Sequence, residues 1–382
     1  MRLVGRPGFT VIESIRFSTT TLLDVSANNQ PHSADQARST LADVAKKAGV
    51  SGSTASIAFS GVGSISQSTR DRVLKAAEEL GYFGPDPRAR SLRQGRSGIV
   101  GVILEDRVLY SFRDPMTLAA LDGISQELSP GGGMLLLTSD GEGEPSIQNA
   151  VFDAAIFMGC SVHLARSIDI MRRRNVPMVA IEGQPFDGVL SVALDNFEAS
   201  RTIAQLVYDL GHRRVATITL PLGIRRELQP VTEEVVRDAT TAVSIDRLLG
   251  AREVFSDLGG YAASNSSSDD GFDAALRLLD VAVHERPTAI IAQSDLLAVG
   301  ALRAAESLGL RVPHDLTVVG FDGARIEGMS EYDLTTMVQP ATEKGRAAGR
   351  AVTQMLEGDE CNDVAFTCVL HVGTTSAPPR RC

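Results

Sequence analysis

Four arginines fall within nine residues of the chain, in the stretch RARSLRQGR at positions 88–96. Guanidinium groups bind phosphate oxygens, and an apolar side chain among them can wedge between base pairs in a minor groove. Pro85 and Pro87 precede the stretch and Gly98 follows it, so a helix here would be short and would need partners to form. The stretch predicts contact with a polyanion such as DNA, and a basic interdomain linker is the alternative.

Small hydroxylated side chains form a second group that can contact nucleic acid. The outward face of a short helix, which Ser51 can cap, would carry Ser53, Thr54, Ser56 and Ile57. Hydroxyl groups donate hydrogen bonds to base edges and phosphates and accept them from base edges. The group predicts DNA contact, and a three-helix bundle without a role in DNA binding is the alternative.

Three short helices must position these hydroxyls, and the sequence marks their ends. Thr40 with Asp43 three residues later is a capping-box pattern, Gly49 permits a left-handed stop, and Ser66 can cap the third helix. The predicted buried stripe of the third helix consists of Val73, Leu74, Ala77 and Leu80. Two helices joined by a tight turn form the helix-turn-helix arrangement, whose second helix enters the major groove.

Short apolar runs alternate with helical segments from Gly98 onward. The runs include GIVGVILE, FDAAIFMG, VPMVAIEG, TAIIAQSD and LTVVGFD. This alternation predicts an α/β body with parallel sheets, in which ligands bind beyond the carboxyl ends of the strands. Phe112 and Asp114 follow the first strand, and Phe321 and Asp322 lie at the end of a later one. These side chains could stack on or hydrogen-bond a ligand, or serve in turns and in the core.

Several spaced stretches together resemble one protein family. TLADVAKKAGVSGSTASIAFSG, ISQSTRDRVLKAAEELGY and PDPRARSLRQGRS resemble the DNA-binding headpiece and hinge of LacI-type (lactose repressor family) transcriptional regulators. VALDNFEASRTIAQLVYDLGHRRVATIT and RPTAIIAQSDLLAVGALRAAESLGLRVPHDLTVVGFD resemble the family's effector domain. The resemblance implies a small all-α helix-turn-helix headpiece followed by a two-lobed periplasmic-binding-protein-like body with parallel sheets.

The patterns and the resemblance divide the chain into four segments. Residues 1–38 are predicted to be a disordered extension, 39–83 the headpiece, 84–97 the hinge helix or linker, and 98–382 the effector-binding and dimerisation domain.

The resemblance also implies roles for single residues. Leu92 matches the leucine of the family's hinge helix. In the family, two hinge helices of a dimer lie in the minor groove, and this leucine wedges between base pairs. Arg201 matches an arginine that reaches effector hydroxyls or anionic groups, and Asp295 matches an acid that binds sugar hydroxyls or base nitrogens. A salt bridge or a helix cap is the alternative for each.

The predicted DNA contacts are Thr40, Ser51, Ser53, Thr54, Ser56, Ile57, Ser66, Thr69, Arg70, Ala89, Arg90, Leu92 and Arg93. The predicted ligand contacts are Arg201, Asp295, Phe112, Asp114 and Phe321.

The chain departs from the family pattern at several positions. Gly52, Ser53 and Ile57 stand where the lactose repressor carries Tyr, Gln and Arg, so we expect few base contacts from the second helix. Residues 221–244 fit the pattern poorly, and Gly373 stands where an arginine is common. The effector pocket could therefore be altered or even empty.

Charge and composition restrict the function classes. The net charge is -10, yet residues 39–97 carry nine Lys and Arg against five Asp and Glu, which places a basic block beside an acidic body. The first residues lack a signal-peptide core and no apolar run is long enough to span a membrane, so we expect a cytoplasmic protein. The four cysteines form no CxxC pair and no zinc spacing, so no metal is expected.

These observations predict a homodimeric transcriptional regulator. We expect a repressor that binds a double-stranded, pseudo-palindromic operator and responds to a small sugar-like metabolite. An activator of the same family and a sugar-binding protein without a DNA function are the alternatives. An enzyme is not expected, and neither is a cofactor, because the chain has no GxGxxG after a strand, no Walker A motif and no GxSxG elbow.

Overall fold

A computed structural model describes most of the chain from Ser39 onward. The described residues are 39–60, 63–84, 95–105, 108–128, 133–138, 147, 149–159, 162–223, 226–326 and 332–380. The predicted extension and the hinge residues Ala89, Arg90, Leu92 and Arg93 lie outside them. The boundary between two compact units falls after Asp86.

The first unit consists of three helices, α1 (Leu41–Ala48), α2 (Gly52–Ser60) and α3 (Gln67–Glu79). The predicted capping box is confirmed: the Asp43 amide donates to Thr40 Oγ1 at 3.3 Å, and the Thr40 amide donates to Asp43 Oδ2 at 2.8 Å. Gly49 ends α1 with a φ of 64°, which the left-handed stop requires. The Thr69 amide donates to Ser66 Oγ at 3.2 Å, so Ser66 caps α3.

Small side chains fill the core of this unit. The buried residues are Val44, Ala45, Ala48, Ala55, Ala58, Val73, Ala76 and Ala77. The predicted stripe of α3 is correct at Val73 and Ala77 but wrong at Leu74, whose side chain is 43% exposed. Ala76 is buried instead, because inward positions of a helix recur at three and four residues from Val73.

The second unit contains two lobes, each built on one sheet. The first lobe begins with β1 (Ile99–Leu104), α4 (Val108–Ser111), α5 (Pro115–Glu127), β2 (Gly133–Thr138), β3 (Ala154–Met158), α6 (Ala165–Arg173), β4 (Met178–Ile181) and β5 (Leu190–Leu194). A 3₁₀ turn over Val162–Leu164 precedes α6.

The second lobe and the return to the first follow along the chain. The second lobe comprises α7 (Asn196–Asp209), β6 (Val215–Thr219), β7 (Gln229–Pro230), α8 (Glu233–Arg237), α9 (Ala242–Arg252), β8 (Gly260–Ala262), α10 (Ser268–Leu279), β9 (Ala289–Ala292), α11 (Asp295–Ser307), β10 (Thr317–Asp322) and β11 (Thr335–Val338). The chain ends with α12 (Ala341–Glu357), β12 (Val364–Phe366) and β13 (Val369–His371).

Strand order confirms the predicted α/β body with parallel sheets. The first sheet has the order β12-β5-β4-β3-β1-β2 and its pairs are all parallel. The second has the order β13-β11-β10-β9-β6-β8-β7, with antiparallel strands only at its two edges. Buried apolar side chains fill the central strands, as expected for sheets covered on both faces.

The chain crosses between the lobes three times, at residue 195, at residues 339–340 and at residues 367–368. After the second crossing, α12 packs against α5 of the first lobe at close range. A Cβ on Gly123 would lie 2.1 Å from the Thr342 carbonyl oxygen, and one on Gly345 would lie 2.0 Å from the Ala120 oxygen. The two glycines thus allow the helix backbones to touch. Among the described residues, no helix combines the length and apolarity needed to cross a membrane.

Candidate functional site

The N-terminal end of α2 gathers hydroxyl groups from four residues. The Thr54 amide donates to Ser51 Oγ at 3.1 Å, and that oxygen lies 2.8 Å from both Ser53 Oγ and Thr54 Oγ1. Ser53 is exposed, whereas Thr54 and Ser56 are half-buried. The first amides of a helix lack intrahelical acceptors, so hydroxyls and helix dipole together make this end suitable for phosphate oxygens and base edges.

The other predicted headpiece contacts are placed less uniformly. Ile57 is half-buried, and a Cβ on Gly63 would lie 3.3 Å from its side chain, so Ile57 packs against the chain that leaves α2. Ser66 Oγ lies 2.8 Å from Thr69 Oγ1 at the start of α3, and Arg70 follows on the same turn. Thr40 is exposed at the start of α1, where its hydroxyl is engaged in the capping box.

A cavity of about 280 Å³ lies between the two lobes of the body, at the carboxyl ends of the strands. Its charged and amide-bearing wall comprises Asp114, Glu182, Arg226, Arg247, Asp322, Gln339 and Lys344. Its apolar wall comprises Met116, Met158, Ala120, Ile181, Leu220, Pro221 and Val243. The lining contains no aromatic side chain among the described residues, and it suits a small polar ligand with a limited apolar face.

Six side chains form a closed chain of polar contacts at this cavity, which we call the interlobe ring. Its members are Glu182, Asn196, Arg247, Asp322, Gln339 and Lys344. On one side, Lys344 Nζ donates to the Glu182 carboxylate and to Gln339 Oε1. Gln339 Nε2 in turn donates to Asp322 Oδ1 at 2.6 Å.

Arg247 closes the other side of the ring. Its Nη1 lies 3.6 Å from Asp322 Oδ1, and its Nε donates to Asn196 Oδ1 at 2.8 Å. Asn196 Nδ2 donates to Glu182 Oε2 at 2.8 Å, which returns the chain of contacts to its start. The Arg247 guanidinium also stacks 3.6 Å from the centroid of the Phe321 aromatic ring. The guanidinium is therefore held by hydrogen bonds at its edge and by the phenyl group at its face.

Burial and charge act in opposite directions on the ring carboxylates. Burial alone would raise the pKa of Glu182, but Lys344 and Arg247 outweigh it and lower that pKa to about 2. Burial raises the pKa of Asp322 well above its ordinary value, although Arg247 opposes the shift. Behind the cavity, burial raises the pKa of Asp295 to about 6. The carboxylate on the first lobe is therefore the more firmly ionised one.

Two of the predicted ligand residues lie at or directly beneath the cavity. Asp114 lines it and caps α5, accepting from the Met116 amide at 3.1 Å and from the Thr117 amide at 3.3 Å. Phe321 is 1% exposed and serves as the platform under Arg247.

The other three predicted ligand residues are not among those that line the cavity. Arg201 lies on the exposed face of α7 and pairs with Glu198 at 2.8 Å, so the buried arginine is Arg247 instead. Asp295 is buried behind Ser294 and accepts from the Thr336 hydroxyl at 2.6 Å. Phe112 is 49% exposed. Ser294 and Arg247 line the cavity, and the ligand roles of Arg201, Asp295 and Phe112 stay predictions.

Sequence reasoning missed Glu182, Arg247, Gln339 and Lys344. The available signal was an acid followed by glycine directly after an apolar strand, in IEG and FDG. Glu182 has a φ of 61° and Asp322 a φ of 129°, a conformation that is strained for residues other than glycine. Such strain is concentrated at functional sites. Nothing local in the sequence distinguishes Lys344 from an exposed lysine.

The comparisons with known proteins agree with this arrangement. The family described as "Bacterial regulatory proteins, lacI family" matches residues 40–84, and a periplasmic binding protein-like domain matches residues 204–368. The HTH-type transcriptional regulator IpsA of Corynebacterium glutamicum is 33% identical, over 89% of this chain and 98% of the relative. The HTH-type transcriptional repressor CytR of Escherichia coli is 30% identical, over 89% and 97% respectively.

Solved structures share the fold over most of the chain. A LacI-family regulator from Corynebacterium glutamicum has a TM-score of 0.66 and 28% identity, covering 88% of this chain and 98% of that one. The CelR–cellobiose complex has a TM-score of 0.60 and 26% identity, covering 88% and 100%. The Lac repressor dimer bound to operator, at 23% identity, has a TM-score of 0.67 over 89% and 99%. The helix-turn-helix unit, the two-lobed body and these relatives together identify the chain as a DNA-binding transcriptional regulator of the lacI family.

Proposed function

We propose that this regulator is a repressor that binds a pseudo-palindromic operator as a homodimer and responds to a small polar metabolite. The observation that carries the proposal is the presence, in one chain, of a hydroxyl-bearing helix start and a charged cavity between two lobes. The relative CytR is a transcriptional repressor, and the Lac repressor was solved as a dimer bound to its operator. A dimer with two-fold symmetry reads two inverted half-sites.

The proposed DNA contacts are those predicted from the sequence. The hydroxyls of Ser51, Ser53 and Thr54 would meet base edges and phosphates at the start of α2. Because Ile57 lies against Gly63 and carries no hydrogen-bonding group, few side chains of α2 remain for base readout. A larger share of sequence preference would then come from the hinge and from the deformability of the DNA.

The proposed effector contacts differ from the predicted ones. Arg247 and Asp322 replace Arg201 and Asp295 as the charged groups that face the ligand, with Asp114 and Lys344 opposite them. These donors and acceptors suit the hydroxyls of a sugar-like metabolite, and the related CelR is solved with cellobiose. The lack of an aromatic platform in the described lining favours a ligand without a large flat apolar face.

Selection of bound DNA from a random pool by the purified full chain tests the proposal. We expect an enriched palindrome, followed by release or tightening when sugars and polyols are screened against that DNA. The absence of any enriched palindrome from the selected pool would contradict the proposal. Enrichment without repression of a reporter gene placed behind the palindrome would favour an activator instead.

Replacement of Leu92 by alanine tests the proposed wedge. We expect the affinity for the selected palindrome to fall by about tenfold or more while affinity for random DNA is kept, because only the kinked site gains from an inserted side chain. A salt titration separates the loss of the wedge from a loss of phosphate contacts, because phosphate contacts set the slope of affinity against salt concentration. Equal loss on both DNAs would contradict the wedge.

A further inference from the structure

The chain is fixed to the body at residues 96–98, at the end of the basic stretch. The Asp153 carboxylate accepts three hydrogen bonds there: from the Ser97 amide at 2.8 Å, from the Ser97 hydroxyl at 2.9 Å and from the Gly98 amide at 2.7 Å. Ser97 Oγ in turn accepts from the Ile99 amide at 3.2 Å. Hydrogen bonds to a carboxylate are about twice as strong as those between neutral groups, so one side chain attaches this segment firmly.

Arg96 adds another hydrogen bond from the same segment. Its Nη2 donates to the Leu356 carbonyl oxygen at 2.6 Å, in the last turn of α12. The last carbonyls of a helix lack intrahelical donors and carry partial negative charge, so an arginine is stabilised there. The Arg96 guanidinium thus binds the body. We call the contacts of residues 96–98 with Asp153 and Leu356 the exit anchor.

Both partners of the exit anchor belong to firmly packed elements of the first lobe. Asp153 directly precedes β3, in which residues 154–157 are fully buried. The Asp153 amide donates to the Ile99 oxygen at 2.8 Å, so its main chain and its side chain both join β3 to the start of β1. Leu356 lies on α12, which packs closely against α5. The exit anchor is therefore a fixed point on the body.

The backbone at Gly98 needs this attachment to keep one conformation. Gly98 has a φ of 72°, and a Cβ there would meet no atom within 4 Å, so packing does not restrict it. Glycine adopts positive and negative φ with similar ease, so hydrogen bonds must hold it in place. The next fixed point along the chain is the Gly98 oxygen, which accepts from the Gly133 amide at 2.7 Å. Loss of the exit anchor would therefore free about three residues, or about 10 Å at full extension.

We infer that Asp153 fixes the spacing of the two operator half-sites that this regulator accepts, by holding the point at which the chain from the headpiece joins the body. The inference rests on the proposed binding of a palindrome by a homodimer. In that dimer, two exit anchors set the separation from which the headpieces reach their half-sites. An extra reach of about 10 Å would span about three base pairs, since each extends the duplex by about 3.4 Å. Asp153 is thus a positioning residue for half-site spacing.

Binding of the full chain to palindromes of changed spacing tests this inference. The DNA set comprises the selected palindrome, versions with one or two base pairs added or removed at its centre, and a single half-site. The spacing ratio is the dissociation constant of a respaced palindrome divided by that of the selected one. We expect a spacing ratio of about ten or more for the wild type, because headpieces held at fixed points cannot both reach altered half-sites.

In Asp153→Ala we expect the spacing ratio to fall to about three or less, because the longer free segment lets both headpieces bind at several separations. Affinity for the single half-site should stay at the wild-type value, since that contact involves one headpiece only. A wild-type spacing ratio near one, or an unchanged ratio in Asp153→Ala, would overturn the inference. With an enriched palindrome in hand, either result leaves the proposed function standing, whereas a pool without a palindrome would overturn both.

Asp363→Ala is the matched control for general destabilisation. Asp363 directly precedes β12 of the same sheet and accepts from the Ser191 amide at 2.7 Å, as Asp153 accepts from Ser97. In the strand order, β5, β4 and β3 lie between β12 and β1. Asp363→Ala should lower the stability of the first lobe and keep the spacing ratio, because unfolding removes active protein equally for every DNA. A ratio relaxed to the extent seen in Asp153→Ala would overturn the inference.

Arg96→Met combined with Ser97→Ala covers the case in which Asp153→Ala fails to fold, because Arg96 is exposed and Ser97 is half-buried. We expect the combined variant to lower the spacing ratio by about threefold or more. The slope of log affinity against log salt concentration should stay unchanged, whereas each lost phosphate contact would reduce it by about 0.9. A wild-type spacing ratio, or a reduced slope, would overturn the inference.

Discussion

The headpiece and the cavity assemble their functional groups in opposite ways. The hydroxyls of the headpiece come from Ser51 to Ser56, within two turns of one helix, and local caps fix them. The interlobe ring joins Glu182 to Lys344, which lie 162 positions apart in the chain. A site made from neighbours depends on helix ends, whereas a site made from distant strand ends depends on the whole body. Damage to the body should therefore affect effector response before DNA contact.

The largest effect should come from Arg247. In Arg247→Met we expect the body to lose about 3–5 kcal/mol of unfolding free energy, because Asn196 and Asp322 keep buried polar groups without their partner. The effector response of DNA binding should be lost as well. Urea unfolding and titration of the selected DNA measure the two effects.

The matched control is Arg201→Met on the exposed face of α7. Loss of the Arg201 guanidinium should change the free energy of unfolding by no more than about 0.5 kcal/mol, because its ion pair with Glu198 is exposed. The effector response should stay intact. If Arg201 proved the more damaging site, the cavity described above would not be the effector site.

The contact between α5 and α12 gives the next effect. In Gly345→Ala we expect a loss of about 3 kcal/mol, because the added Cβ would overlap the Ala120 carbonyl oxygen and force the helices apart. Unfolding followed by circular dichroism measures it. The control is Gly49→Ala in the headpiece, where the Cβ meets no atom within 4 Å and only the positive φ of 64° is unfavourable. An equal loss of unfolding free energy in both variants would show that the close helix packing is not the cause.

Acid titration of stability should separate Glu182 from other carboxylates. Its pKa is about 2 in the folded protein against an ordinary 4.5, so its contribution is complete above about pH 4.5 and is lost as the pH falls toward 2. The difference corresponds to about 3 kcal/mol. Unfolding free energies at pH 3 and pH 6 measure the larger part of this loss, which is complete only below both pKa values. Glu182→Gln should flatten this dependence, whereas Glu343→Gln, whose parent carboxylate is half-exposed, should keep it.

The smallest effect concerns the headpiece cap. Thr40→Ala should cost about 1 kcal/mol, because the Asp43 amide loses its acceptor at the start of α1. Thr40→Ser keeps the hydroxyl and should restore nearly all of the loss. Thermal unfolding of the first transition, together with titration of the selected DNA, tests both variants. Similar losses for alanine and serine would assign the effect to the methyl group instead.

The same contrast explains what could be predicted from the sequence. Caps, helix stops and apolar alternation are local signals, so the headpiece helices and the parallel sheets were predicted correctly. The prediction that Leu74 is buried was wrong because the apolar stripe of a helix can be displaced by one residue. That Arg247 and Ser294 line the cavity, rather than Arg201 and Asp295, could not be predicted, because the position facing the cavity depends on how two lobes meet, which no short stretch encodes. Lys344 lies at the cavity only because α12 packs against the first lobe, which the sequence around Lys344 does not indicate.

The strained backbone at Glu182 and Asp322 also limits how this cavity can acquire a new ligand. A residue with positive φ is replaced readily only by Gly, Asn or Asp, so these two positions offer few evolutionary routes. Met116, Leu220 and Val243 line the same space on ordinary backbone and can vary in size and shape. Directed evolution of this regulator toward another metabolite should therefore accumulate its first substitutions on the apolar wall and leave the charged residues in place.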